Sequence, residues 1–208
     1  MTLPQGRHRF HGAIAGVGSS SGVRIVVGRW RQSPLGVFAD VMLAEPDGTR
    51  VLLAPDEDVA EFVSTTYRFD RVEIGPVQVT FEDGAGVTSW HVVAPGLEMT
   101  IGIGRRLPLG WLLRLVPKRL ATAPLWARLT DPVARVVLRG VRTRGSAGNE
   151  RLEYYGATDL RRITKLTGSW QDTDLGVLAS VSPEPRFGFG STPRRPSVTS
   201  IVTTIDVS

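Results

Sequence analysis

The chain has 208 residues, 41% apolar and 22% charged, a globular composition long enough for one sizeable core. It contains no cysteine, which excludes disulfides, thiolate metal sites and cysteine nucleophiles. No stretch approaches the roughly 18 uncharged apolar residues of a bilayer-spanning helix. The formal net charge of +5 is distributed in blocks: residues 105–144 hold ten basic side chains and one acid, Asp131, whereas residues 40–98 hold twelve acids and three arginines. Twenty-three of the basic residues are arginine, so Lys118 and Lys165 are the only side-chain amines.

The N-terminal residues carry charge but no apolar run of secretory type, and the expected compartment is the cytoplasm, with the membrane periphery as the alternative. Residues 7–17, 23–31 and 35–44 are rich in Val, Ile, Phe and Trp between Gly, Ser and Pro clusters, which predicts successive strands. In the second of these, Val23, Ile25 and Val27 alternate with Arg24, Val26 and Trp30, so both faces are mostly apolar. Pro46-Asp47-Gly48 predicts a hairpin turn before a strand at 50–54. The acids Asp56, Glu57 and Asp58 favour a short helix through Val63 by interacting with its N-terminal dipole. Residues 72–81, 87–93 and 97–103 read as further strands.

From Leu107 to Val141 the apolar period lengthens to about 3.6 and three prolines divide the segment into short helices. Thr130-Asp131-Pro132 marks one helix start. Strand character returns over 151–165 with Tyr154 on one face, residues 171–197 read as a long ordered loop, and 198–207 form a last strand. The expected fold is mainly β: one domain over residues 1–208, an antiparallel barrel or strongly curved sheet of nine to ten strands, with a helical insertion or cap at 107–141.

No complete catalytic constellation emerges. Gly16 to Gly22 leads into a strand rather than the helix that a phosphate-cradling loop requires. His8 and His11 lie three apart on a strand and face opposite sides, so no metal site is expected. His91 has no serine elbow to serve, and Trp90-His91 reads as part of a barrel wall. Arg24, Arg29 and Glu153 lie on strands, where a charge either faces solvent or serves a cavity.

Two segments resemble known families. Gly28-Arg29-Trp30, repeated as Gly168-Ser169-Trp170, resembles the Gly-x-Trp of lipocalins and related calycin barrels, which implies a barrel holding an apolar ligand. Pro117-Lys118-Arg119-Leu120-Ala121 resembles the Pro-Lys-Lys-Leu-Ala stretch of acetoacetate decarboxylase, which implies Lys118 as a Schiff-base lysine with Arg119 as the cation depressing its pKa. The favoured expectation is non-catalytic binding of a small apolar or amphipathic anionic molecule, without a cofactor. The candidate ligand residues are Arg24, Trp30, Trp90, His91, Trp111 and Tyr154. Decarboxylase-like chemistry at Lys118 is the alternative.

The basic segment offers further readings. Trp111, Leu112, Leu115 and Trp126 combine an insertable face with cationic flanks, which suits an anionic membrane surface better than nucleic acid. The favoured reading of the segment is a helical cap packed over an open barrel end, its arginines paired with the acids of 40–98. A homodimer is compatible with the same surface.

Overall fold

A computed structural model describes residues 5–84, 87–117, 144–146, 152–185, 187–188 and 193–207. The alternating apolar pattern of the first fifty residues forms β1 (Gly6–Ser19), β2 (Arg24–Gln32), β3 (Phe38–Ala44) and β4 (Arg50–Ala54). β3 and β4 meet at the expected Pro46-Asp47-Gly48 turn, where the Asp47 carboxylate accepts hydrogen bonds from the Thr49 amide and hydroxyl. Helix α1 (Glu57–Thr66) starts at Asp56, whose Oδ1 accepts the Val59 amide at 2.8 Å. Its acidic first turn faces the positive end of the helix dipole.

The predicted strand at 72–81 is two strands, β5 (Arg71–Ile74) and β6 (Gln78–Gly84), interrupted at Gly75-Pro76. β7 (Val87–Ala94) and β8 (Leu97–Arg106) precede helix α2 (Pro108–Leu115), and β9 (Arg144–Ser146) and β10 (Leu152–Trp170) follow. The expected long loop carries two short strands, β11 (Thr173–Asp174) and β12 (Leu178–Ala179), before β13 (Ser197–Val207). Of the anticipated helical segment only α2 falls within the described residues; Lys118, Trp126 and the Asp131-Pro132 helix start lie outside them.

Ten strands form one path in the order β5-β4-β3-β2-β1-β13-β10-β8-β7-β6. Each neighbouring pair on that path is antiparallel except β4 and β5, whose parallel pairing follows from the crossover through α1. The protein is mainly β, a strongly curled half-barrel with two helices among the described residues. β5 and β6 are the two ends of the path yet are joined by residues 75–77 alone. At 3.8 Å per residue step that link spans at most about 15 Å, so the sheet curls until its edges nearly meet.

Curling divides the apolar strands into two environments. The rows Ala15, Val27, Val41 and Leu53, aligned across β1 to β4, point inward against Trp90, Val92, Met99 and Ile101 of β7 and β8 and fill the barrel interior. The alternate residues point outward. Phe10, Phe38, Leu52 and Ala54 on that outer face pack against Val59, Phe62 and Val63 of α1. The two-faced apolar character of β2 is thus one face for the interior and one for the helix.

Polar cross-ties hold the curl. Glu45 at the end of β3 accepts from the Trp170 indole at 2.9 Å and from Arg71 at 3.2 Å, and Arg71 also pairs with Glu73. Arg29 of β2 lies 4.4 Å from the ring centre of Phe81 on β6, and burial lowers its pKa, helped by nearby Arg31. Arg106 forms a two-pronged bond with Asp159 at 2.6 and 3.0 Å, lies over the Trp111 ring and fixes α2 to β10. Gly110 permits this approach, because a Cβ there would strike the Leu160 carbonyl.

Candidate functional site

Buried apolar side chains of the described strands pack in the barrel interior, and a cavity lies on the other face of the sheet, beneath α1. Its volume is about 40 Å³, room for roughly three water molecules or a small ligand group. Three register rows build its floor. Tyr155 of β10, Thr203 of β13 and Phe10 of β1 form one; Ile14 of β1, Gly28 of β2 and Asp40 of β3 form another; Trp30 and Phe38 lie across the third. Phe62 and Val63 of α1, with Tyr67 at its C-terminal cap, complete the enclosure.

Asp40 is the polar centre of this site. Only 3% of its surface is exposed, and its Oδ1 accepts the Trp30 indole N–H at 2.9 Å. Burial pushes the carboxyl up to about 6, against the opposing pull of the Trp30 hydrogen bond. No arginine, lysine or histidine lines the cavity among the described residues. An aspartate this deeply buried without a cation is uncommon, because desolvation disfavours the charged form.

Gly28 makes the arrangement fit. A Cβ at this position would collide with Asp40 Oδ1 and crowd Trp30 Nε1, so the carboxyl occupies the space a side chain would take. Trp30 in turn lies over Gly12, where β1 shifts register between His11 and Gly12. The Gly28-Arg29-Trp30 tripeptide therefore has a local physical role: small residue, intervening residue on the other face, indole donor to the carboxyl.

Two more polar features reach the cavity. The Tyr67 and Tyr155 hydroxyls are 2.5 Å apart and hydrogen-bond to each other. Thr203 is 4% exposed, and its hydroxyl has no hydrogen-bond partner among the described residues. The remaining lining is apolar and largely aromatic, with Phe10 and Phe62 stacked at 5.1 Å and Phe10 edge-on to Trp30 at 5.8 Å.

Of the residues singled out from sequence, Trp30 lines this cavity. Arg24 instead ties the 182 loop to β2, donating to the Ser182 carbonyl at 2.7 and 3.1 Å and to the Gly22 carbonyl at 2.6 Å. Trp90 packs in the barrel interior edge-on to Phe81, and His91 on the opposite face of β7 contacts the Thr100 hydroxyl at 3.2 Å. Trp111 is 59% exposed on α2. Tyr154 is buried but lies on the opposite side of β10 from Tyr155, which lines the cavity.

Sequence reasoning passed over Tyr67, Tyr155 and Thr203 and did not place Asp40 at a ligand site. For Asp40 a signal existed, since it is the lone charge in the apolar strand Phe38–Ala44. No group of three or more His, Asp or Glu suited to hold a metal ion occurs among the described residues. No described helix is long and apolar enough to cross a membrane. Comparison with protein-family models finds none that matches the chain, and comparison with curated proteins finds no match either.

Proposed function

We propose that this protein binds a small, largely apolar molecule carrying a polar group, in the cavity between the outer face of its curled sheet and α1. The observation that carries the reading is Asp40, a buried carboxyl with no cationic partner among the described residues, in a mainly aromatic and aliphatic enclosure. Convergence of a few polar groups, one with a perturbed pKa, on a mainly apolar concavity is the usual composition of a ligand site. The anionic head group expected from sequence has no cation to meet it among the described lining residues. Specificity therefore shifts toward groups that donate hydrogen bonds. Titration of isotope-labelled protein with a panel of small apolar alcohols, amines, amides and acids tests the reading. A binder moves the Trp30 indole N–H resonance and raises the melting temperature; a panel that does neither rejects the site.

A second reading, attachment to an anionic bilayer, is supported by the surface of α2. Trp111, Leu112 and Leu115 are 59%, 60% and 80% exposed, with Arg114 in the last turn. That pairing of apolar face and cation suits a headgroup interface. Flotation with anionic liposomes, lost in the double substitution of Trp111 and Leu115 by serine, is the expected result; no flotation at low salt rejects it.

A further inference from the structure

We infer that the occupant of the cavity beneath α1 is a small organic ammonium ion, a protonated amine of about three heavy atoms, paired with the Asp40 carboxylate and enclosed by aromatic and aliphatic side chains. This rests on the reading of that cavity as a ligand site. Asp40 is the one charged side chain among the described lining residues, and Trp30 is its one hydrogen-bond donor there. Its second carboxylate oxygen therefore has no counter-charge among the described residues. A carboxylic ligand would place like charges together in a desolvated site, and a neutral apolar ligand would leave the carboxylate uncompensated. A cation supplies what the protein omits.

The walls point the same way. Six aromatic rings line the cavity: Phe10, Trp30, Phe38, Phe62, Tyr67 and Tyr155. Ring faces carry negative quadrupole density that attracts cations, and aromatic cages are a recurrent solution for ammonium groups. The Tyr67 and Tyr155 oxygens and the Thr203 hydroxyl, without a partner among the described residues, add acceptors for an amine that retains N–H bonds.

Protonation state then becomes part of recognition. The titratable groups facing Asp40 across the cavity are Tyr67 at the end of α1 and Tyr155 on β10; β1, β2 and β13 present apolar side chains, the Trp30 indole and the Thr203 hydroxyl. Since burial holds the Asp40 carboxyl near 6, an ammonium ligand binds the ionised form and its affinity falls as the pH drops through that value.

Calorimetric titration of the full chain with methylammonium, ethylammonium and ethanol, an uncharged molecule of the same size as ethylammonium, provides the test. At about pH 7.5 ethylammonium is expected to bind at least about tenfold more tightly than ethanol, a difference of about 1.4 kcal/mol. That preference should shrink toward parity near pH 4.5 and in Asp40→Asn. The pH series on the unaltered protein decides the matter if the variant does not fold. Ethanol binding as tightly as ethylammonium at neutral pH overturns the ammonium inference and leaves the cavity a ligand site. Failure of all three probes to bind at millimolar concentration overturns the inference and counts against the site itself.

Discussion

Asp40 shows how one residue sets a local energy balance. Its folded-state pKa, about 6, lies above the ordinary carboxyl value of 3.8, so the folded chain holds its proton more tightly than the unfolded chain does. The resulting penalty is absent below the unfolded value, grows as the pH rises toward the folded one, and is constant above it. A displacement of this size corresponds to about 2–3 kcal/mol. Asp40→Asn removes the charge and keeps an oxygen for the Trp30 indole. Urea denaturation is expected to find it more stable than the parent by about 2 kcal/mol at neutral pH and nearly equal to it near pH 3.5. A gap of constant size across that range would mean that the carboxylate is not desolvated. The signal for this residue was present in the sequence, since a charge on an apolar strand either faces solvent or serves a cavity. That rule drew attention to Arg24, Arg29 and Glu153 and applies equally to Asp40, the one charge in Phe38–Ala44. Tyr154 and Tyr155 differ by strand parity alone, and a bulge in β10 between Ala157 and Asp159 blurs the parity that sequence would supply.

Elements with a local cause were legible. Pro46-Asp47-Gly48 made its hairpin, and Asp56 made its helix cap because both act through neighbours in sequence. Residues 71–84 were not legible as two strands, because the partners of β5 and β6 are set by the whole sheet: they lie at opposite ends of its path. The cap at Asp56 has a consequence beyond α1, since Phe62 and Val63 on that helix roof the cavity. Asp56→Ala leaves the Val59 amide without its side-chain acceptor and is expected to lower global stability by about 1 kcal/mol. Amide hydrogen exchange should then quicken in the first turn of α1 before it quickens in β2 or β3. Uniform acceleration across the sheet would mean that the helix does not open separately.

At the scale of the whole molecule, the charge blocks and the apolar strands had different fates. Acids of the 40–98 block pair inside that block, Asp70 with Arg50 and both Glu45 and Glu73 with Arg71, because β4 and β5 are adjacent. Arg106, at the head of the basic block, pairs with Asp159 instead. Charge pairing among the described residues follows strand neighbours rather than block sums; residues 118–143, which hold most of the basic block, lie outside them.

The mainly β fold was legible from alternation, but whether its interior would be hollow was not, since that depends on how far the sheet curls. The curl leaves two apolar bodies, the filled interior and the α1 face with its cavity, separated by the thickness of the sheet. Ile101 is fully buried in the first and Phe62 is 7% exposed in the second. Ile101→Ala is expected to cost about 2–5 kcal/mol and Phe62→Ala about 3–5 kcal/mol. Because they sit in separate clusters, their effects should add within about 0.5 kcal/mol in the double variant, and Ile101→Ala should leave the Trp30 indole N–H resonance in place while Phe62→Ala moves it. Strong non-additivity in denaturation would mean that the interior and the cavity are one coupled core, and a ligand beneath α1 would then have to be sensed throughout the barrel.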